Sequence, residues 1–463
     1  MLVVISDLHL VQSISGLNDA LNFNKNIEPA AYHQFINRLA REAKINRATH
    51  LDLILAGDIF EMFKSPIWYE DDERPYVHLD TIETHSSLEN KILRLLDNIA
   101  EEEHVGETLE LFRNLDSFFD IPVRLHYIVG NHDRVVNATP ATRRKARLLL
   151  GMDDDEAYLP HTYTYAPDGQ SIAFIRHGHE YDRENFAMAL PDTGRIPSEF
   201  PREVYDAPTM GDFLGLEFGN KLLYLFTQTY GVHAIQHNEN LRDLYIRLAH
   251  FDDVRPLSAT LPYLMTPPNL TYKEAWEYLE PIFIEVLELM GENRFFLKEL
   301  KKYNPMGGRS ASTISMALQA RPWRKGVPFW LIWRIARQIS GNPSFPESGS
   351  FAGREEAIFR GGSSVRCVIS GHTHTPEVSL LNSRDGVERY HINTGTWRNV
   401  IPTSRDKEFF GRIKALAYAA VYGPGENPGK SAGGQDPLWS FDFWSGFSQK
   451  FYPKTAEPLK TKL

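Results

Sequence analysis

Carboxylate, imidazole and amide side chains recur in five short segments that lie far apart in this 463-residue chain. The segments are Asp7-Leu8-His9, Gly57-Asp58, Gly130-Asn131-His132-Asp133, His177-Gly178-His179 and Gly371-His372-Thr373-His374. These side-chain types are ligands for divalent metals such as Mn, Fe, Zn or Co. Two such cations could clamp a phosphoryl group and activate water for attack on it. The residue types therefore indicate a dinuclear metal centre suited to phosphate-ester hydrolysis.

Each segment follows an apolar run that is typical of a buried strand, at residues 2–5, 51–56, 123–129, 172–175 and 365–369. Ligands collect beyond the carboxyl ends of strands in open α/β sheets, so we expect the five segments to form one pocket. Alternation along the first strand predicts that Asp7 and His9 lie on the same side. The glycines beside the ligands allow sharp turns and close backbone approach.

The ordered series resembles the calcineurin-like metallophosphoesterases, whose pattern is D-x-H, G-D, G-N-H-D/E, a lone His and G-H-x-H. The resemblance covers residues 1–182 and 365–424, about half of the chain, and implies an α/β fold with a two-sheet metallophosphoesterase-type core. It also implies two divalent metal ions bridged by Asp58. The implied ligands are Asp7, His9 and His374 for the first ion, and Asn131, His177 and His372 for the second.

His132 lies next to the implied ligand Asn131 but is outside the ligand set. Imidazole titrates near neutral pH, so His132 is predicted to be the general acid that protonates the leaving oxygen after hydroxide attack. Asp133 is expected to orient His132 and to favour its charged form.

Three further residues are candidates for substrate binding. His179 could face the substrate or support a ligand histidine. Arg134 and Arg176 flank the motifs and could bind phosphate oxygens, although arginines at strand ends are often plain surface residues.

Residues 183–364 interrupt the resembling core and contain helical patterns at 213–230, 241–249, 272–290 and 327–339. Both ends of this insertion adjoin the predicted site, which favours a helical cap over the pocket; an independent docking domain is the alternative. The basic aromatic segment 321–337 could contact a membrane surface or acyl chains, or could simply pack within the cap. Residues 425–463 combine a Gly/Pro linker with an aromatic tail that is expected to dock on the core, the cap or a partner chain.

Composition limits the remaining possibilities. The net charge of −10 does not favour nucleic-acid binding, although a local basic patch is still possible. The single cysteine, Cys367, fits a reducing compartment. The first predicted strand leaves no room for a signal peptide, so we expect a cytoplasmic protein. The oligomeric state stays open.

The leading hypothesis is a metal-dependent phosphatase or phosphodiesterase that acts on a phosphorylated substrate. One alternative is a DNA exo- or endonuclease similar to the double-strand-break repair nucleases. Another is a lipid-precursor hydrolase similar to the UDP-diacylglucosamine pyrophosphatases, in which the histidine of the third motif is commonly replaced. A non-catalytic scaffold is the least supported, since the whole motif set is present.

Overall fold

The structure is a computed structural model, and it describes residues 1–12, 24–191, 193–302, 348–359, 363–384, 387–406, 409–428 and 439–448. The segment 321–337, with its alternatives of membrane or acyl-chain contact and of packing within the cap, and the helical pattern at 327–339 lie outside these ranges.

The described strands form two sheets. They are β1 (Leu2–Ile5), β2 (Leu51–Ala56), β3 (Val123–Ile128), β4 (Thr162–Tyr165), β5 (Ala173–Arg176), β6 (Val254–Arg255), β7 (Cys367–Ser370), β8 (Pro376–Arg384), β9 (Val387–Thr394), β10 (Arg398–Pro402), β11 (Ile413–Tyr422) and β12 (Ser440–Ser448). The first sheet has the order β3-β2-β1-β11-β10-β6, with β12 also paired to β11, and the second has the order β4-β5-β7-β9-β8. The predicted α/β fold with a two-sheet core is confirmed.

Parallel pairing brings the motif-bearing strand ends together. Strands β1, β2 and β3 are parallel neighbours in the first sheet, and β5, β7 and β9 are parallel neighbours in the second. The segments that follow β1, β2 and β3 therefore emerge at one edge, and those that follow β5 and β7 emerge together at an edge of the other sheet.

The alternation of side chains along β1 builds two apolar layers. Leu2 and Val4 belong to the cluster between the sheets, together with Ile175 and Ile369 of the second sheet. Val3, with its odd-numbered neighbours, belongs instead to the cluster that the helices cover. A strand that is apolar on both faces is thus buried on both, as its composition predicts.

Helices cover the outer face of the first sheet at Pro29–Ile45, Ser87–Ala100, Glu103–Arg113 and Pro140–Leu149. The second and third of these helices are separated at Glu102, which caps the third: its side chain accepts a hydrogen bond from the Val105 amide at 2.9 Å.

The described part of the insertion is mainly helical. Its α-helices are Arg202–Asp206, Met210–Leu214, Lys221–Tyr230, Val232–His237, Glu239–Ala249, Thr260–Met265, Tyr272–Glu292, Arg294–Lys302 and Ser348–Ala352, and a π-helix spans Gly215–Asn220. The α-helices from Met210–Leu214 to Arg294–Lys302 share an apolar cluster that also includes Ile401 of β10, whereas Tyr205 and Ala352 belong to separate clusters. Strand β6 pairs in parallel with β10, Val254 opposite Ile401, so the insertion extends the first sheet.

The described part of the aromatic tail docks on the core. Strand β12 runs antiparallel to β11 over the whole stretch from Lys414 to Tyr422. Trp444 stacks on Tyr418 with 5.6 Å between ring centroids, and the Arg38 guanidinium lies 4.8 Å from the Trp444 ring. Within the described ranges, no helix combines the length and the apolarity that crossing a bilayer requires.

Two buried histidines away from the strand-end motifs predict a loss of stability in mild acid. Burial lowers the pKa of His161 to about 4 and the pKa of His250 to about 3. The folded protein keeps these rings neutral at pH values where the unfolded chain binds protons. The two histidines therefore do not change the free energy of unfolding above the unfolded pKa of about 6.5, and they lower it as the pH falls below that value.

We expect His161→Gln to weaken the decline of the urea-unfolding free energy between pH 7 and pH 4.5, by at most about 3 kcal/mol. His33→Gln, at an exposed histidine, is the control and should follow the native protein. Identical pH slopes for native protein and His161→Gln would contradict the prediction.

Candidate metal centre

Backbone hydrogen bonds join the loops that carry the predicted ligands. The Asp7 amide donates to the Gly57 carbonyl at 3.0 Å, and the His9 amide donates to the Asp58 carbonyl at 2.9 Å. The two sheets meet here as well, because the His372 amide donates to Asp7 Oδ2 at 2.9 Å. The loops after β1, β2 and β7 are therefore joined to one another by hydrogen bonds.

Most of the predicted ligands occupy a backbone conformation that is rare outside glycine. Positive φ angles occur at Asp7 (54°), His9 (45°), Asp58 (54°), His372 (68°) and His374 (58°). Such conformations cost on the order of 1–3 kcal/mol each and concentrate at functional sites. The sheets hold these loops in a geometry that the local sequence would not choose alone.

The first group of donors consists of Asp7, His9 and His374, whose nearest donor atoms all lie within 4.8 Å of one another. His374 Nε2 lies 3.3 Å from Asp7 Oδ1 and 3.0 Å from His9 Nε2. Two imidazole nitrogens and one carboxylate oxygen thus converge on a single point, as the resemblance implied.

The second group consists of Asp58, His177 and His372, again with donor atoms within 4.8 Å of one another. Asp58 Oδ2 lies 3.1 Å from His177 Nε2 and 3.7 Å from His9 Nε2. One carboxylate oxygen therefore borders both groups, which is the position that a bridging ligand needs.

Two buried donor atoms test whether cations fit this site. Among the described residues, Asn131 Oδ1 and His177 Nε2 are buried and form no hydrogen bond, and the Asp58 carboxylate lies 3.1 Å from His177 Nε2; such atoms are costly to bury unless another group satisfies them. The ring of His177 is oriented by its Nδ1, which donates to the Ala56 carbonyl at 2.8 Å and leaves Nε2 towards Asp58. The donor set and its unsatisfied atoms fit a pair of divalent first-row cations.

The electrostatics of the centre also favour positive charge. Burial acts to lower the pKa of His177, but the charges of Asp58 and Asp7 outweigh it and raise the pKa to about 10. Burial acts to raise the pKa of Asp58, yet the neighbouring histidines hold it below its ordinary value. The buried carboxylates stay ionised, so the binding of cations at this site is electrostatically favourable.

Glu61 is a functional candidate that the motif analysis missed. Its Oε1 lies 2.9 Å from His132 Nδ1, and its Oε2 lies 3.1 Å from His9 Nδ1. Burial acts to lower the pKa of His132, but the charges of Glu61 and Asp58 outweigh it and raise the pKa to about 9. A polar residue three positions after Asp58, within an otherwise apolar stretch, was the available signal.

The expected role of Asp133 as the group that orients His132 is corrected. Asp133 accepts hydrogen bonds from the Gly130 amide at 2.6 Å, the Ile59 amide at 2.8 Å and the Tyr127 hydroxyl at 2.6 Å. Its carboxylate therefore shapes the loops after β2 and β3, and Glu61 is the partner of His132.

The expected phosphate contacts of Arg134 and Arg176 are also corrected, and neither residue lies on the surface. Arg134 is 4% exposed and pairs with Asp212 at 3.0 Å while donating to three backbone carbonyls. Arg176 is fully buried, with Nη2 donating to the Pro197 and Ser198 carbonyls. Both guanidinium groups attach the insertion to the core.

His179 is buried beside the centre. Its ring centroid lies 5.4 Å from that of His177, and it packs edge-on against Phe186 and Tyr205. Burial lowers its pKa to about 3, so the ring is neutral. Of the two roles considered for His179, this burial favours support of a ligand histidine over direct contact with substrate.

Three other residues contact the donor groups but lie outside the sequence motifs. Asp182 Oδ2 lies 3.0 Å from His372 Nε2. Asn185 accepts a hydrogen bond from Asn131 Nδ2 at 3.2 Å, which leaves the Asn131 oxygen for a cation. Arg255 Nη2 lies 2.6 Å from His374 Nδ1. Asp182 and Asn185 closely follow the fourth motif, whereas Arg255 comes from the insertion and had no sequence signal.

Comparisons with known proteins add little to this geometry. No protein-family model matches the chain, and no curated protein matches its sequence. Among solved structures, a dimetal phosphatase from Danio rerio is similar over 90% of this chain and 94% of its own, with 13% identity and a TM-score of 0.24. This similarity is too weak to assign a function, so the function of the site is inferred from its geometry.

The close packing around Gly57 predicts that a larger residue at this position reduces metal binding. A Cβ there would lie 2.4 Å from His177 Nδ1, and the residue has φ +88°. We expect Gly57→Ala to displace the imidazole and to reduce bound divalent metal, measured by elemental analysis after equilibration with Mn.

Gly231 provides a matched control because it has φ +75° but nothing within 4 Å of its Cβ position. Gly231→Ala also strains a backbone of positive φ but meets no neighbouring atom, so it should keep full metal content. Equal metal content in both variants would contradict the prediction.

Proposed function

We propose that this chain is a dinuclear metal-dependent phosphohydrolase that hydrolyses a phosphate mono- or diester. The supporting observation is the convergence of two donor groups on Asp58, whose Oδ2 lies 3.1 Å from His177 Nε2 and 3.7 Å from His9 Nε2. Buried, ionised carboxylates beside imidazoles suit two divalent cations at neighbouring positions.

In this proposal, the donors divide as the sequence resemblance implied. Asp7, His9 and His374 hold one cation, Asn131, His177 and His372 hold the other, and Asp58 touches both. When bound, the cations would supply Lewis acidity towards the phosphoryl oxygens and a water of lowered pKa. Mn, Fe, Zn and Co all suit these ligands.

His132 is the proposed proton donor to the leaving oxygen. Its side chain is 27% exposed, so a substrate can reach it. Its Nδ1 is engaged by Glu61, which leaves Nε2 as the nitrogen that can release a proton. Glu61 also favours the imidazolium form, which is the form that a general acid requires.

The insertion is proposed to act as a cap that orders the pocket and limits water access. Arg255 of the insertion reaches His374, and Asn185 reaches Asn131. These contacts favour a cap over an independent docking domain.

The described residues favour a general phosphatase or phosphodiesterase over the alternatives. The complete donor set together with His132 argues against a scaffold. The acidic net charge gives no support to a nuclease. The lipid-precursor alternative is less favoured because the histidine of the third motif, which is commonly replaced in those hydrolases, is present here as His132.

A substrate panel tests the proposed reaction. Metal-saturated protein would be assayed with a chromogenic phosphomonoester, a chromogenic phosphodiester, single-stranded DNA and a nucleotide-sugar diphosphate. Turnover of a simple ester that is abolished in Asp58→Ala supports the proposal. Cleavage of DNA alone would favour the nuclease, and inactivity of the metal-loaded protein towards every substrate would refute a hydrolytic function.

His132→Ala should separate proton donation from metal binding. We expect kcat to fall about 100- to 10,000-fold, because general-acid assistance is lost, while metal content stays at the native level. Asp58→Ala should lose both activity and metal. The loss in His132→Ala should be larger for an alkyl phosphate than for p-nitrophenyl phosphate, because the poorer leaving group needs the proton more.

A native kcat in His132→Ala would contradict this assignment. So would an equal loss on both esters, since a structural defect does not distinguish leaving groups.

A further inference from the structure

We propose that Arg255 is a substrate-binding residue that contacts the non-bridging oxygens of the phosphoryl group at the metal centre. This inference rests on the proposed function and assigns one specificity-determining contact to the insertion. Arg255 lies on β6, the short strand of the insertion that pairs with β10 of the core sheet. Its Nη2 lies 2.6 Å from Nδ1 of His374.

The backbone of the insertion holds the Arg255 guanidinium in place. Nη1 donates to the Asp252 carbonyl at 2.6 Å and to the Val254 carbonyl at 3.0 Å. One side of the planar group is thus fixed, while Nη2 extends to the donor group of His374. The residue is only half-buried, so a ligand can reach it.

Among the described residues, Arg255 forms no ion pair of the kind that its cationic neighbours form. Arg398 pairs with Asp252 at 2.7 Å and with Asp253 at 2.6 Å, and Lys25 pairs with Asp252 at 3.0 Å. In the part of the chain that the structure describes, no carboxylate oxygen lies within 4.0 Å of the Arg255 guanidinium. Those neighbours are therefore structural, whereas Arg255 keeps a charge that can bind an anion.

The chemistry of His374 explains why that anion belongs at the metal centre. Nε2 of His374 is the nitrogen that faces Asp7 and His9, so it is the nitrogen placed for a cation. An imidazole that gives one nitrogen to a metal carries its proton on the other, so Nδ1 then donates and cannot accept from Arg255.

The guanidinium then needs a different acceptor beside the cations. A phosphoryl group presents paired oxygens that match the fork of a guanidinium, which makes it the acceptor class that fits. Arg255 would thereby make substrate binding depend on the docked position of the insertion.

Equilibrium binding of inorganic phosphate tests the assignment. Isothermal titration calorimetry would compare metal-saturated native protein with Arg255→Gln, Arg255→Lys and Arg242→Gln. We expect the dissociation constant of phosphate to rise about 10- to 100-fold in Arg255→Gln, as for the loss of a hydrogen bond to a charged group. Arg255→Lys should recover part of the affinity, because it keeps the charge without the fork.

Arg242→Gln is the matched control, since Arg242 is a half-buried arginine on the Glu239–Ala249 helix of the same insertion. It should bind phosphate like the native protein. Unchanged phosphate affinity in Arg255→Gln, with weaker metal binding, would overturn the proposal and show that Arg255 only positions His374. If Arg255→Gln fails to fold by circular dichroism, an unchanged affinity in Arg255→Lys would overturn it equally.

The outcomes distinguish this inference from the proposed reaction. Ester turnover by the native protein together with unchanged phosphate affinity in Arg255→Gln overturns the role of Arg255 alone. Inactivity of the native protein towards every ester, together with weakened phosphate binding in Arg255→Gln, overturns the reaction and supports the anion contact.

Discussion

The buried carboxylate of Asp58 is the interaction on which the rest of the centre depends. Its Oδ1 accepts the His132 amide at 2.8 Å, and its Oδ2 lies 3.1 Å from His177 and 3.7 Å from His9. An ionised carboxylate that is 1% exposed is costly to bury without compensation. Compensation comes from groups on three other strand ends, so the charge of one residue ties both sheets together.

The need to compensate the buried charge of Asp58 explains where the chain tolerates backbone strain and close contacts. A Cβ at Gly130 would lie 2.3 Å from Asp58 Oδ1, and a Cβ at Gly371 would lie 2.3 Å from Asp7 Oδ2. Together with the positive φ angles at five donors, these contacts show a backbone shaped around its carboxylates. The apolar layer between the sheets and the helix-covered face of β1 offset the cost, because they hold the strand ends rigidly.

The insertion is part of the same structure and not an appended unit. It extends the first sheet through β6, receives the buried Arg134 through Asp212, and shares an ion network in which Asp252 joins Lys25, Lys64 and Arg398. Because the network lies at the junction of core and insertion, movement of the insertion would also move Arg255 relative to His374. Under the role proposed for Arg255, substrate binding is therefore coupled to the docking of the insertion.

Local pattern determined much of the architecture. The apolar runs that precede each motif are strands within a few residues of the predicted bounds, because their apolar character is intrinsic to the sequence. Glycines and polar residues at the strand ends likewise identified the donors that the structure brings together, since parallel strands place such ends at one edge. Residue type and order were sufficient for these inferences.

The partners of those donors depended on the tertiary structure. Glu61 in place of Asp133 beside His132, the burial of Arg134 and Arg176, and the approach of Arg255 to His374 all result from packing between distant segments. Sequence alone determined which groups could hold cations, because ligand chemistry belongs to the side chain. Only the folded chain decided which charges meet, because burial and distance set the strength of an ionic contact and neither is encoded locally.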